Sequence, residues 1–295
     1  MRVTSPMVSD TVLRNLQNNL AALERLQNQL TSGKRLNRPS DDPPAVETAL
    51  NYHATIAAGE QYLRNMDSAT AWLQATDSTL GSATDALQRV RELAVQGGND
   101  TLDAGQRTDI AAEVDQLLQQ MVQWGNASLK GQRLFAGLRT DADAFTLNPG
   151  PPTTVTYNGD NGQMLREIDV GTTMAINTPG NATFGPAFSA LISLRDDLRA
   201  NNTAAVRTTD LSNLDAALDT MLTTRANVGA KVNRLEAAQD RQQQLQARIT
   251  ELLSKTEDTD YTAAISDFTQ QDTVYKASLQ AAAKALQPSL MDYLK

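Results

Sequence analysis

The sequence predicts a mainly α protein: an elongated antiparallel bundle of long helices, with coiled-coil terminal helices and a small β-rich domain inserted in the middle. Three observations carry that expectation. Apolar residues recur at alternating steps of three and four along most of the chain. Ala, Leu and Gln dominate, while aromatics make up only 4% of the 295 residues, a composition that suits thin helix–helix seams better than a thick core. Between about 141 and 187 the texture changes to Thr, Val, Gly and Asn.

Taken in order, the first helix carries a seam of Leu13, Leu16, Leu20, Leu23 and Leu30, with Gln27 in the missing slot and Leu26 widening the stripe. Gly33 stops it. The stretch SGKRLNRPSDDPPAVETAL (32–50) then reads as a hinge: Lys34 and Arg35 where the chain turns, Ser40, Asp41 or Asp42 as cap, and Pro43 needing no donor satisfied. A second helix follows with Leu73, Thr76, Leu80, Ala83, Leu87, Val90 and Ala94 in phase, and Gly97-Gly98 end it. Asp103 opens a third, with Ile110, Val114, Leu117, Met121 and Trp124 on one face. In the β-rich segment, Asn158-Gly159 and Asn161-Gly162 are hairpin-turn signals, and Met164, Arg166, Ile168 and Val170 share one phase. Helical texture resumes at Phe188. Leu235, Ala238, Gln242, Leu245, Ile249 and Leu252 again step by three and four. The segment SKTEDTDYT breaks the run, with Asp258 or Asp260 as cap of the last helix. That helix aligns Ile265, Phe268, Asp272, Tyr275, Leu279, Ala282 and Leu286, and Pro288 ends it.

This order is symmetrical about the β segment. It gives a terminal coiled-coil region (1–40 with 256–295), a helical bundle (41–140 with 188–255) and a β domain (141–187). A lone heptad helix of about 25 residues is marginal in water. The two ends are therefore expected to pair with each other and with copies from neighbouring molecules. For Phe268 and Tyr275, both an internal and an intermolecular contact fit.

Enzymatic chemistry finds little support in the residues. His53 is the only histidine, so a di-iron bundle site, which needs two Glu-x-x-His motifs, has no ligand set; His53 reads as a helix-surface residue beside Tyr52. No phosphate-binding GxxxxGK motif occurs, and TEDTDY lacks the glycine and terminal glutamate of a calcium loop. The absence of Cys excludes disulfides and thiolate metal sites. A net charge of −8 without a basic run argues against nucleic acid, and no apolar stretch approaches a membrane span. No cofactor, metal or catalytic residue is expected. The N-terminus lacks the apolar core of a cleaved signal peptide.

The segment TSGKRLNRPSDDPPAVETAL (31–50) resembles the N-terminal signature of the bacterial flagellin superfamily. LQRVRELAVQGGNDTL (87–102) resembles its next block, and RANVGAKVNRLEAA (225–238) and TEDTDYTAAISDFTQQDTVYKASLQ (256–280) resemble its C-terminal blocks. The matches fall in order over roughly 200 residues. Within the superfamily, GQRLFAGLRTDADAF leading into the β segment, VTYNGDNGQ and the C-terminal PSLMDYL are more similar to the junction members that join hook to filament than to the filament subunits. PSDDPPAV and the compact β insert depart from the filament pattern. A filament subunit and a cytosolic coiled-coil adaptor are the competing readings.

The resemblance implies a structural, non-enzymatic protein, exported without a cleaved signal to the extracellular flagellum. It implies self-assembly into a ring through the terminal helices, with a hook-side junction protein and flagellin as neighbours and an export chaperone at the C-terminal helix. It also makes Arg89, Leu93 and Gln96 a receptor or subunit contact.

Overall fold

A computed structural model describes residues 5–148, 150 and 153–286. In chain order the helices are α1 Ser5–Ser32, α2 Pro43–Gly97, α3 Ala104–Gly125, α4 Gly180–Arg199 and the single turn α5 Thr203–Ala205. A π-helical turn, Val206–Asp210, follows, then α6 Leu211–Glu257 and α7 Tyr261–Leu286. Three antiparallel hairpins separate α3 from α4: β1 Ser128–Leu129 with β2 Gln132–Arg133, β3 Phe145–Asn148 with β4 Thr154–Tyr157, and β5 Leu165–Asp169 with β6 Thr172–Ala175. The chain divides into two bodies, a terminal one of residues 1–58 with 244–295 and a central one of residues 59–243.

The central body follows from its seams. Leu73, Thr76, Leu80, Ala83, Leu87, Val90 and Ala94 of α2 are all buried, as the heptad steps require. Against them lie Val114 and Met121 of α3, Leu191 and Leu194 of α4, and Leu214 and Met221 of α6. Helix α2 stops where expected, at Gly97-Gly98. Its last carbonyls are claimed by two arginines: Nε of the buried Arg107 donates to Gly97 O at 3.0 Å, and Nε of Arg207 donates to Gly98 O at 2.5 Å. Asp103 and Gln106 close a reciprocal capping box at the start of α3.

The β segment departs from expectation in two ways. First, the hairpin turns are not at the Asn-Gly pairs. Lys130 and Gly131, both with positive φ, make the β1–β2 turn, and Val170-Gly171 makes the β5–β6 turn. The Asn-Gly pairs fall in the connection from β4 to β5. The Asp160 carboxylate there accepts N–H bonds from Leu138 and Gly162, both at 2.8 Å, and these hold it below its ordinary pKa. The Tyr157 hydroxyl donates to Phe135 O and Asp160 O. Side-chain bonds of this kind seat the segment on the backbone of 135–138, and local turn propensity loses to them.

Second, α4 begins at Gly180, eight residues before Phe188. Phe184, Ala187, Phe188 and Leu191 supply one apolar face, and that face packs. The hairpin segment shares its core with the helices around it. Phe135, Phe145, Phe184 and Phe188 stack with centroids 4.8–6.0 Å apart and belong to the same core as the α2 seam. The strand phase holds within β5, where Ile168 is buried while Leu165, Glu167 and Asp169 face outward, but Val170, expected in the Ile168 phase, lies in the turn and is exposed.

Asp210, in the π-helical turn, is fully buried. Its Oδ1 accepts the Ser193 hydroxyl at 2.7 Å, and its Oδ2 has no partner. Burial raises its pKa, and the neighbouring Asp197 carboxylate raises it further.

Candidate assembly surface

In the terminal body α1 packs along α7, and the pair is antiparallel. Lys34 lies opposite Asp258, while the Asn19 amide donates to Ser278 Oγ at 2.9 Å and Gln271 Nε2 donates to Asn19 O at 3.3 Å. The positions of α1 turned toward the pair are Val12, Leu16, Asn19, Leu23, Leu26 and Leu30; those of α7 are Ala264, Phe268, Gln271, Tyr275, Ser278 and Ala282. Both sets step by three and four, so the heptad expectation holds, but only half of each expected seam points inward. Leu16, Leu23, Leu30, Phe268 and Tyr275 do. Leu13 and Leu20 remain 46% and 38% exposed, and Ile265 and Leu279 remain 53% and 42% exposed. Leu286 closes α7, but its side chain, like Pro288, lies outside the described residues.

The cause is plain in the residue types. In α7 every second inward position is small or polar (Ala264, Gln271, Ser278), and in α1 Asn19 is; Leu20, Ile265 and Leu279 sit one step further round from Asn19, Ala264 and Ser278, as Leu13 does from Val12. A step of one residue turns each helix in the same sense. Two antiparallel helices are related by a two-fold axis perpendicular to their common plane, so both displaced sets fall on the same flank. Counting from the Lys34–Asp258 pairing sets Leu13 level with Leu279, Leu20 with Asp272 and Gln27 with Ile265. One flank of the pair is therefore a stripe of Leu13, Leu20, Ile265 and Leu279. The other carries Asn15, Ala22, Gln29, Asp267, Val274 and Ala281.

The joint between α1 and α2 is fastened to the joint between α6 and α7. Gly33 turns the chain at φ +72°, and a Cβ there would meet the Tyr261 hydroxyl. Thr259 N–H donates to Gly33 O at 3.0 Å and Arg35 N–H to Glu257 O at 2.7 Å, a two-bond bridge. Lys34 Nζ meets Asp258 Oδ1 at 2.6 Å; this bond raises the Lys34 pKa and is the main cause that lowers the Asp258 pKa. The carboxylate's share is lost as pH falls through its lowered pKa, and the amine's as pH rises through its raised one. The ion pair therefore persists across the neutral range. Arg35 Nη2 donates to Thr256 O, and the His53 ring meets Glu257 Oε2 at 2.9 Å.

Within the hinge the two aspartates divide the work. Asp42 Oδ1 accepts Ala45 N–H and caps α2, whereas Asp41 Oδ2 accepts the N–H groups of Asn37 and Arg38 and rigidifies the turn before it. Ser40 takes neither role. Asp260 caps α7 through Thr262 and Ala263. Sequence reasoning found the hinge but missed its partners at 256–259. The signal was present only as a second cluster of charged and capping residues at matching distance from the other end.

Among the described residues, no group of three or more His, Cys, Asp or Glu could hold a metal ion, and no helix is long and apolar enough to cross a membrane. Two family models cover most of the chain. The bacterial flagellin N-terminal helical region matches residues 3–140, and the bacterial flagellin C-terminal helical region matches residues 211–294. The chain belongs to the bacterial flagellin family. The β3–β6 hairpins and α4 fall between the two flagellin segments.

Flagellar hook-associated protein 3 of Escherichia coli (strain K12) is 26% identical to this flagellin-family chain over 95% of its length and 96% of that protein's. Two solved structures share the fold. A putative flagellar hook-associated protein from Vibrio parahaemolyticus superposes with TM-score 0.67 at 21% identity, covering 74% of this chain and all of that one. Flagellar hook-associated protein 3 from Legionella pneumophila gives 0.64 at 17%, covering 69% of this chain and 97% of that one.

The flagellin-like block at 87–102 requires one correction. Leu93 is 1% exposed and belongs to the central core, so it contacts neither a receptor nor a neighbouring subunit in this conformation. Gln96 is exposed. Arg89 is occupied on the surface by Glu113 at 2.8 Å and Glu92 at 3.1 Å.

Proposed function

We propose that this chain is a structural component of the bacterial flagellum that joins hook to filament by assembling through its terminal helices. The observation that carries the reading is the stripe of Leu13, Leu20, Ile265 and Leu279. A soluble coiled-coil pair would place such residues inside. Here they stand exposed on one flank while asparagine, glutamine and serine occupy the interior. Burying each against a neighbour contributes roughly 1.5–3 kcal/mol, which offsets the loss of freedom on ordering. The likeness to hook-associated protein 3 supports the junction role, and an equally long match at 26% identity to the flagellin of Bacillus subtilis makes the filament role the alternative to test.

In this reading Leu16, Leu23, Leu30, Phe268 and Tyr275 hold the pair, and the exposed stripe meets adjacent copies in a ring. The hook-side junction protein lies on one face of the ring and flagellin on the other. The chain is exported without a cleaved signal and works outside the cell. Before export its C-terminal helix is held by a chaperone. The bridged joint, from Gly33 to Asp42 with 256–259, fixes the direction in which the helix pair leaves.

Deletion of the gene tests the proposal. Cells lacking a junction protein should secrete filament protein into the medium, unattached, and swim no longer. Normal attached filaments in the deletion strain would refute the junction role. Loss of filament protein from both the cell surface and the medium would instead identify the chain as the filament subunit.

A further inference from the structure

The basic residues of the central body are mostly spoken for. Arg89, Arg91, Arg133, Arg195, Arg207 and Arg225 each meet a carboxylate, and Arg107 binds two carbonyls and an amide. Lys130, Arg199, Arg234 and Arg241 have no such partner among the described residues but are exposed, whereas Lys231 of α6 is not. It is partly buried, yet among the described residues it has neither a hydrogen bond nor a carboxylate within 4.0 Å. Burial alone lowers its pKa. It lines an open groove of about 780 Å³ together with Thr178, Thr183, Thr224, Asn227 and Arg234. The one carboxylate in the lining, Asp219, lies twelve residues back along α6, about 18 Å away by helical rise, and cannot serve it.

A half-buried ammonium without a counter-charge is costly, and hydroxyl and amide walls beside it are suited to the remaining lone pairs of an incoming carboxylate. We propose that this groove is an interchain contact, in which Lys231 receives a carboxylate side chain from a second copy of this chain. The second copy is favoured by charge. The chain carries 34 acidic against 26 basic residues, so copies packed side by side repel unless acidic surface finds cationic groups. The inference rests on the assembly reading above and adds a polar contact made by the central body to the apolar one made by the terminal helices.

The experiment uses full-length chain, half of it isotopically heavy, assembled at the tips of hooks from cells that lack filament protein. Two reagents are applied: a water-soluble acetylating agent, and a carbodiimide that joins amines to carboxylates without a spacer. The expected result is at least tenfold slower acetylation of Lys231 in the assembly than in free chain. A carbodiimide-formed amide should also link Lys231 to an Asp or Glu peptide of opposite isotope label. Lys231→Met should reduce the amount retained at hook tips several-fold, and Lys231→Arg should restore it. As free chains Lys231→Met should be no less stable than the parent and Lys231→Arg should match it, which separates a contact from a folding defect. Equal acetylation in the two states overturns the proposal, as does an amide linking Lys231 only to the hook-side neighbour. Absence of the chain from hook tips overturns the assembly reading and this inference with it; presence with an unprotected Lys231 overturns this inference alone.

Discussion

The two bodies use the same heptad arithmetic to opposite ends. In the central body each large apolar residue of the α2 seam, from Leu73 to Val90, is buried, and an aromatic cluster fills the space beside the hairpins. In the terminal body the interior of the α1–α7 pair is partly polar, and Leu13, Leu20, Ile265 and Leu279 stand outside it along one flank. The central body buries its α2 seam and aromatic cluster by itself, and its exposed apolar residues (Val95, Leu138, Leu165, Val170 and Leu222) lie outside them. The terminal body turns half of its seam inward and holds the rest for a partner. The sorting of leucines, rather than helix content, separates a domain that folds for its own sake from one that folds to be used.

Five variants would break or sharpen this contrast. The largest effect on stability is expected from Phe184→Ala, which empties the centre of the aromatic cluster. It should cost about 3–5 kcal/mol in urea unfolding followed by tryptophan fluorescence, since both tryptophans, Trp72 and Trp124, report on the central body. A cost under about 1 kcal/mol would show that this body is not closed.

Next is Asp210→Asn. The folded-state pKa of Asp210 is raised, so its favourable contribution is present at low pH and is lost as pH rises through that value. The variant should therefore be more stable than the parent at pH 7, by about 1–3 kcal/mol for relief of an unsatisfied buried acceptor. The gap should close as pH falls toward 4. Thermal melts across that range check the sign.

Asp42→Ala removes the α2 cap and should cost about 1 kcal/mol, whereas Ser40→Ala should cost nothing measurable. Equal losses for the two would put the cap elsewhere. A small stability change is also expected for Leu13→Ser with Leu279→Ser. Exposed in free chain, these residues should alter its unfolding by less than about 0.5 kcal/mol. Filament attachment in cells carrying the double variant should nevertheless fail. A large loss of monomer stability with attachment intact would reverse the roles assigned to the two faces of α1 and α7.

Most of the helices, the α2 seam and the cap at Asp103 were legible, because each depends on residues within one or two turns, whereas Asp42 and Asp260 were each one of several candidate caps that only the structure chose between. The hairpin turns were not. Asn-Gly is a strong local signal, but Asp160 and Tyr157 bind backbone from 135 to 138, and that tertiary demand sets where the chain reverses. His53 also escaped: its partner Glu257 is 204 residues away.

The sequence by itself determined that the ends are heptad helices, that a glycine and a pair of aspartates break the first from the second, and that the chain carries the flagellin segments at both ends. It did not determine which leucines face inward. Stripes through Leu13, Leu16 and Leu20 and through Val12, Leu16 and Asn19 have the same three-four period and differ only by one residue, about 100° of rotation. Periodicity cannot choose between them. The antiparallel docking of α7 and the bridge from Gly33 and Arg35 to 257–259 make the choice, because they fix the rotation of each helix about its own axis. Only that rotation turned a predicted seam into an inner face and an outer one.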